Sequence, residues 1–272
     1  MNKKNDDFLE INSVVNPKIK KIAKLLKDGP GRQAEQIIIV DGSREIHEAV
    51  KAGWKIKEFF YCPDFSKDND LCHDLWSLSS NNYILSKKVF DKISYKKNPD
   101  GYLAVLKAKS RKLEDVKIGE KPIVLVLESV EKPGNLGGII RTAYAAGVDL
   151  IILNDQKTDL YSPNVIRAST GFLFSMPIVM ASFPETISFL EKNKIQIFNT
   201  SIDDSNSYSS EDFKGSSAFV FGTEAWGISD AWKNTEVKKI KIPMRPGVDS
   251  LNVSVSVGII VYEAIRQRKI FK

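Results

Sequence analysis

At 272 residues, 42% apolar and 27% charged, the chain has the make-up of an ordinary globular protein of one large domain or two. That balance excludes a disordered chain, and no apolar run approaches the roughly 20 residues that a bilayer-spanning helix needs. The net charge of +6 is uneven: residues 1–115 hold 22 Lys/Arg against 17 Asp/Glu, the remainder 18 against 17.

The surplus sits in the amino-terminal part and suits a polyanionic partner such as nucleic acid; lysines that merely solvate a surface give the same count. Met1-Asn2-Lys3-Lys4 leads into no apolar segment, so no secretory signal is expected, and the expected location is the cytoplasm. Residues 12–28 read as an amphipathic helix. Ile19, Ile22, Leu25 and Leu26 recur at helical spacing among Lys18, Lys20, Lys21, Lys24 and Lys27, and Gly29-Pro30-Gly31 ends it. Ile37-Ile38-Ile39-Val40 reads as a buried strand, followed by Asp41-Gly42-Ser43-Arg44 and a helix through Val50 that Gly53 closes. Further strands are expected at 57–62, 82–86 and 102–107, with helices near 66–79 and 86–93, giving a small α/β domain over residues 1–112.

Cys62, Cys72, His47 and His73 lack metal-ligand spacing, so no metal is expected. Cys72 and His73, neighbours in sequence, would not face each other on a helix. Residues 108–121 are charged and read as a linker. Beyond it, apolar runs at 123–127, 150–154, 195–200, 218–221 and 240–242 alternate with helical stretches. They predict a second α/β domain over residues 113–272, built on a mostly parallel sheet.

Three segments of that second domain carry the chemistry. In the first, from Glu128 to Ala143, a strand ends at a Pro133-Gly134 turn; Asn135 is expected to cap the following helix, and Gly147 to stop it. Arg141 lies inside that helix among Ile139, Ile140 and Ala143, where a guanidinium needs an anionic or carbonyl partner. The glycines fit neither a dinucleotide fingerprint nor a P-loop, and a plain cap with a surface arginine is the bland alternative. In the second segment the strand Phe219-Val220-Phe221 ends at Gly222 and delivers Glu224 between glycines, where backbone can approach a ligand closely. The third follows the loop Pro243-Met244-Arg245-Pro246-Gly247. There Ser250 and Asn252 precede Val253, Val255 and Val257, which alternate like a strand. The longer period of Leu251, Val255, Gly258, Ile259, Tyr262 and Ile265 favours a helix capped by Asp249 or Ser250.

In this order, the three segments resemble the three motifs of the SpoU (TrmH-type) branch of the SPOUT RNA methyltransferases, over residues 123–268. Asn16-Pro17-Lys18 and Asp41-Gly42-Ser43-Arg44 resemble the substrate-binding domain that often precedes it, with Asp41 where relatives commonly show Glu. The resemblance implies a deep trefoil knot, one of the rare exceptions to unthreaded chains. It implies S-adenosyl-L-methionine bound in that knot at Thr200, Gly222, Ile242, Met244 and Leu251, and a homodimer packed partly through the carboxyl-terminal helix. The implied reaction is methylation of a ribose 2′-hydroxyl, in ribosomal RNA before transfer RNA. A fold-keeping RNA-binding or ribosome-assembly protein, or an enzyme acting on a base, are the alternatives.

The residues expected to serve the reaction are Asn135, Arg141, Glu224, Ser250 and Asn252. The family assigns the arginine of the first motif the proton-accepting role. Guanidinium groups are effectively always protonated, so Arg141 is expected instead to bind a substrate phosphate and polarise the hydroxyl. Asn135 would orient Arg141 or the ribose, Ser250 and Asn252 would position substrate, and Glu224 would organise the polar site.

Overall fold

The computed structural model describes residues 8–66, 69–201, 206–223, 227–235 and 237–269. Two compact units interleave in sequence: Met1–Lys109 with Tyr161–Ser175, and Ser110–Leu160 with Met176–Lys272.

The first unit contains β1 (Phe8–Ile11), α1 (Pro17–Leu25), α2 (Gly29–Ala34), β2 (Ile37–Asp41), α3 (Ser43–Lys51), β3 (Ile56–Tyr61), α4 (Asn69–Ser77), β4 (Asn82–Leu85), α5 (Lys87–Ile93) and β5 (Tyr102–Lys107). Its sheet is mixed, in the order β1-β4-β3-β5-β2. Ile19, Ile22 and Leu25 of α1 join Val89, Phe90 and Ile93 of α5 in one buried cluster over that sheet. The first helix is shorter than its periodicity suggests. Asn16 caps it by accepting from the Lys18 amide at 2.9 Å, with Pro17 at its start. Gly29-Pro30-Gly31 does more than stop a helix. Asp28 accepts from the Gly31 amide at 2.9 Å and opens α2 there, because a proline in the first turn needs no amide partner. The four-residue edge strand β1 carries no periodic signal and was not expected.

In chain order the remaining elements are β6 (Ile123–Glu128), α6 (Pro133–Ala145), β7 (Leu150–Asn154), α7 (Pro163–Ala168), β8 (Ile178–Met180), α8 (Phe183–Lys192), β9 (Gln196–Thr200), β10 (Asn206–Ser207), β11 (Ser217–Phe221), α9 (Asp230–Lys233), β12 (Lys238–Lys241) and α10 (Val253–Arg268). Among the described residues the second sheet has the order β10-β12-β9-β11-β6-β7-β8, and every pairing in it is parallel. The expected parallel α/β architecture is borne out. β6, β7 and β11 are buried along their whole length, as strands covered on both faces must be.

The charged stretch expected as a linker is a strap in part. It makes a 3-10 turn at Leu113–Asp115, and Leu113, Val116 and Ile118 rest on the core of the second unit. Tyr161–Ser175 groups with the first unit: the Trp54 indole donates to the Phe174 carbonyl at 2.9 Å, and its ring meets Tyr161 and Phe174 edge-on.

The strand alternation after Asn252 is overridden by the helix α10, which buries Val253, Val257, Ile260, Val261, Ala264 and Ile265. Its far end is bolted down by charge-assisted hydrogen bonds. The Arg268 guanidinium donates to the carbonyls of Phe213 at 2.7 Å, Lys121 at 2.6 Å and Gly215. Beside it the Gln267 side chain accepts from the Phe213 amide at 2.8 Å and donates to the Glu211 carbonyl at 3.0 Å. Removing that guanidinium takes the donor from three carbonyls at once, of which the Phe213 bond is partly buried. Arg268→Ala is expected to lower the unfolding free energy by about 2–3 kcal/mol, read as a lower urea midpoint at unchanged slope. Arg268→Lys recovers little, because an ammonium cannot replace the planar fork.

Candidate functional site

Parallel strands send their carboxyl ends to one edge, and loops there meet although far apart in sequence. The loops after β9, β11 and β12 and the approach to α10 enclose a cavity of about 370 Å³. Thr200, Gly222, Ile242, Met244 and Leu251 all line it, so the structure brings these five predicted positions into one place. Ser250 lines it too and is exposed.

Gly222 is there for steric reasons. A Cβ on it would stand 2.0 Å from the Gly227 carbonyl oxygen. The chain returns at that point: the Thr223 amide donates to the Gly227 carbonyl at 2.8 Å, and the Gly227 amide to the Thr223 carbonyl at 3.1 Å. Gly227 has φ of +67°, the left-handed region open to glycine. Glu224, between them, lies outside the described residues.

Sequence reasoning missed the anchor of this loop. Glu128, buried at the end of β6, accepts from the Ser229 amide at 2.7 Å and so holds the segment that carries Gly227 and Ile228 into the cavity wall. An acidic residue closing an otherwise apolar strand was the available signal. Lys233, Lys241 and Asp249, also not singled out, add charge of both signs to the lining.

Asn135 does not cap α6. The helix begins at Pro133 with Lys132 before it, because proline is well suited to a first helical position, and Asn135 falls within the first turn. Its side chain serves another contact: the Asn252 amide nitrogen donates to Asn135 Oδ1 at 3.1 Å. Asn252, rather than Asp249 or Ser250, caps α10, its Oδ1 accepting from the Ser254 amide at 3.0 Å. Asparagine suits this double duty, since the cap requires an acceptor and the bridge a donor.

The expected partner of Arg141 is not found. Its side chain leaves the outer face of α6 and is exposed, with no hydrogen bond or ion pair among the described residues. The apolar neighbours Ile139, Ile140 and Ala143 are buried on the inner face instead, so the guanidinium needs no compensation.

The first unit separates its motif into structural and exposed parts. Asp41 is buried, its carboxylate accepting from Ser94 Oγ at 2.9 Å and from the amides of Tyr95 and Lys96 at 2.6 and 3.0 Å. Burial pushes its pKa up against those hydrogen bonds. Ser43 is tied to Asp100, whereas Arg44 is exposed. Cys62 and Cys72 are buried, and burial pushes the Cys72 thiol up to about 11, which does not suit a nucleophile. No group of residues able to hold a metal occurs among the described residues.

Residues 122–262 match the SpoU rRNA Methylase family, and residues 16–104 match the MRM3-like substrate binding domain. The chain belongs to the SpoU rRNA methylase family. It is 30% identical to an uncharacterized tRNA/rRNA methyltransferase of Synechocystis sp. across 96% of this chain and 95% of that protein. It is 27% identical to the 23S rRNA (guanosine(2553)-2′-O)-methyltransferase RlmP of Bacillus subtilis across 93% of this chain and 98% of that protein. The AdoMet-bound rRNA methyltransferase crystal structure from Sinorhizobium meliloti superposes with a TM-score of 0.87 at 28% identity, covering 95% of this chain and 98% of that one.

For this SpoU-family chain the fit of Gly222 against Gly227 gives a sharp test. A methyl group forced into that contact costs about 1–3 kcal/mol where the backbone can yield. Gly222→Ala is therefore expected to weaken S-adenosyl-L-methionine binding roughly ten- to a hundredfold by calorimetry, with the far-ultraviolet circular dichroism spectrum unchanged.

Proposed function

We propose that the protein transfers a methyl group from S-adenosyl-L-methionine to a ribose 2′-hydroxyl of ribosomal RNA. The observation that carries this reading is the cavity walled by the loops after β9, β11 and β12, with the start of α10 both lining it and bridging to Asn135.

The residues present fit the cofactor. The cavity falls within the usual range for small-molecule sites. Gly222 lets the returning backbone at Gly227 close up the wall where any side chain would collide with it, and Phe221, Ile228 and Ile240 offer apolar surface. Lys233, Lys241 and Asp249 supply partners of both signs for an amino-acid end that carries both charges. When bound, the sulfonium supplies the electrophilic methyl. The protein's part is then alignment, worth up to roughly 7–11 kcal/mol, and polarisation of the attacking hydroxyl.

Arg141, exposed and without a partner among the described residues, is available to a substrate phosphate. Asn135 and Asn252 hold ribose or phosphate oxygens, Ser250 positions substrate at the cavity mouth, and Glu224 organises the polar site.

The first unit is the RNA-recognition module. Supporting this, Lys20 and Lys24 on α1 and Lys27 just beyond its end are exposed and outside any ion pair among the described residues. A homodimer is the working form. Val255 and Tyr262 on α10 and Tyr144 on α6 are exposed at 50%, 48% and 38%, large apolar groups that a second copy would cover. The carboxyl-terminal chain threads as the family's trefoil knot, consistent with β9 lying between β11 and β12 in a parallel sheet. Among the described residues no helix is long and apolar enough to cross a membrane, and the proposed location is the cytoplasm.

Arg141→Ala is expected to abolish methyl transfer to ribosomal RNA while S-adenosyl-L-methionine affinity stays within about twofold, since the guanidinium is assigned to substrate only. Turnover that survives the substitution removes Arg141 from the mechanism. The joint variant Lys20→Ala, Lys24→Ala, Lys27→Ala should weaken RNA binding and flatten its salt dependence by roughly 0.7–0.9 in log–log slope for each phosphate left unneutralised. An unchanged slope would place the RNA elsewhere.

A further inference from the structure

Two turns at one end of the first unit are fastened to each other. β2 ends at Asp41, β5 begins at Tyr102, and the two strands pair antiparallel. The turn after β2 therefore adjoins the loop before β5, and the Gly42 amide donates to the Tyr102 carbonyl at 2.9 Å. Three of the four residues of Asp41-Gly42-Ser43-Arg44 grip that loop. One carboxylate oxygen of Asp41 accepts from Ser94 Oγ and from the amides of Tyr95 and Lys96. Gly42 has φ of +122°, and a Cβ on it would collide with the Lys96 ammonium, which passes over it to Glu45 at 3.1 Å and Asp100 at 3.5 Å. Ser43 donates to Asp100 from its amide and its hydroxyl, each at 2.9 Å.

This fastening decides which groups are left to face solvent. The acidic side chains are engaged inward: Asp41 and Glu45 are buried, Asp100 is half-buried, and each has a donor or a cation against it. Arg44, Tyr95 and Lys97 are exposed, and their side chains make no hydrogen bond or ion pair among the described residues. Tyr95 is bound through its amide alone, so its ring, 46% exposed, takes no part in holding the loop. Among the described residues of the first unit it is the one large aromatic side chain so exposed.

A fixed aromatic face in the company of two free cations suits a nucleotide whose base is out of a helix. The base stacks on the ring, and the phosphates beside it meet the guanidinium and the ammonium. Duplex RNA keeps its base faces stacked on one another and offers none to the ring. A protein partner would call for a wider apolar patch, whereas Ser94, Lys96, Lys97 and Asn98 around Tyr95 are all polar or charged.

We propose that the 41–44 turn and the 94–100 loop form a docking face for an unpaired nucleotide of ribosomal RNA, its base stacked on Tyr95 and its phosphates held by Arg44 and Lys97. The proposal rests on the reading of the first unit as the RNA-recognition module. Asp41, Gly42 and Ser43 build the face and do not touch the RNA.

The test uses the full-length protein in filter binding with total ribosomal RNA from cells lacking the protein, and with a blunt RNA duplex. Tyr95→Ala is expected to weaken binding to ribosomal RNA roughly 5- to 100-fold, with an unchanged melting temperature and an unchanged salt slope, because stacking neutralises no phosphate. Tyr95→Leu, which keeps bulk without an aromatic face, loses as much, and Tyr95→Phe stays within about twofold of the wild type. Arg44→Ala weakens binding and lowers the log–log salt slope by about 0.7. Duplex binding is the same in all three Tyr95 variants. Wild-type affinity in Tyr95→Leu overturns the proposal, and so does a loss that Tyr95→Phe does not recover, which shows a hydroxyl contact. An equal loss on the duplex also overturns it, as does a Tyr95→Ala protein that binds ribosomal RNA normally but changes oligomeric state, which marks a protein contact. If the Tyr95 variants bind normally and the joint Lys20, Lys24 and Lys27 variant does not, the face fails and the recognition module stands. If none of them is weakened, both readings fall.

Discussion

Every strand pairing in the larger sheet is parallel, and the location of the site depends on that constraint. A parallel sheet cannot use tight hairpins. Each strand is followed by a crossover, and all the carboxyl ends arrive at one edge. The loops after β9, β11 and β12 therefore converge without any of them being built for the others. What remains is to hold them still, and that falls to individual hydrogen bonds: Thr200 Oγ1 to the Val220 carbonyl, Glu128 to the Ser229 amide, and the paired amides of Thr223 and Gly227. Backbone groups do most of the shaping and side chains do the fastening.

Asn252 shows the same economy at the other side of the cavity. One amide starts a helix, links it to a second helix and sets the polarity of the residue it meets. A serine, threonine or aspartate caps a helix equally well, yet none of them offers an acceptor and an amide donor at once. The identity of the residue thus follows from two local demands, before any demand from substrate is added.

Much of this was legible in the sequence, and the parts that were not share a cause. Buried parallel strands announce themselves as apolar runs, so β6, β7, β9 and β11 were placed to within a residue; Gly222 was read as a glycine that lets backbone approach a ligand, and the close neighbour seen is the returning backbone of Gly227. The one local conflict that the sequence itself resolved is at Val253, Val255 and Val257, which alternate as a strand would, while the longer period through Ile265 favours the helix that α10 forms against α6. Local rules failed where tertiary partners decide. Asn135 had the chemistry of a cap and is used as a bridge, because Asn252 reaches it across a sequence separation of 117 residues. The charged segment before β6 looked like a free linker; three scattered apolar residues, Leu113, Val116 and Ile118, suffice to lay it on a core. Asp41 read as part of a recognition motif, and its burial beneath the Ser94 hydroxyl and the Tyr95 and Lys96 amides is invisible without the fold.

Helix α10 carries the cavity wall and the Asn135 bridge at its start and the Arg268 bolt at its end. That bolt closes on the Lys121 carbonyl across a separation of 147 residues. Contacts so distant along the chain are entropically expensive to make and tend to come late in folding. A half-folded chain with its sheet already paired has no complete pocket. A ligand of that cavity, such as the cofactor proposed for it, would bind only the finished fold, and by favouring the state in which α10 has docked it would be the last stabilising element to be added.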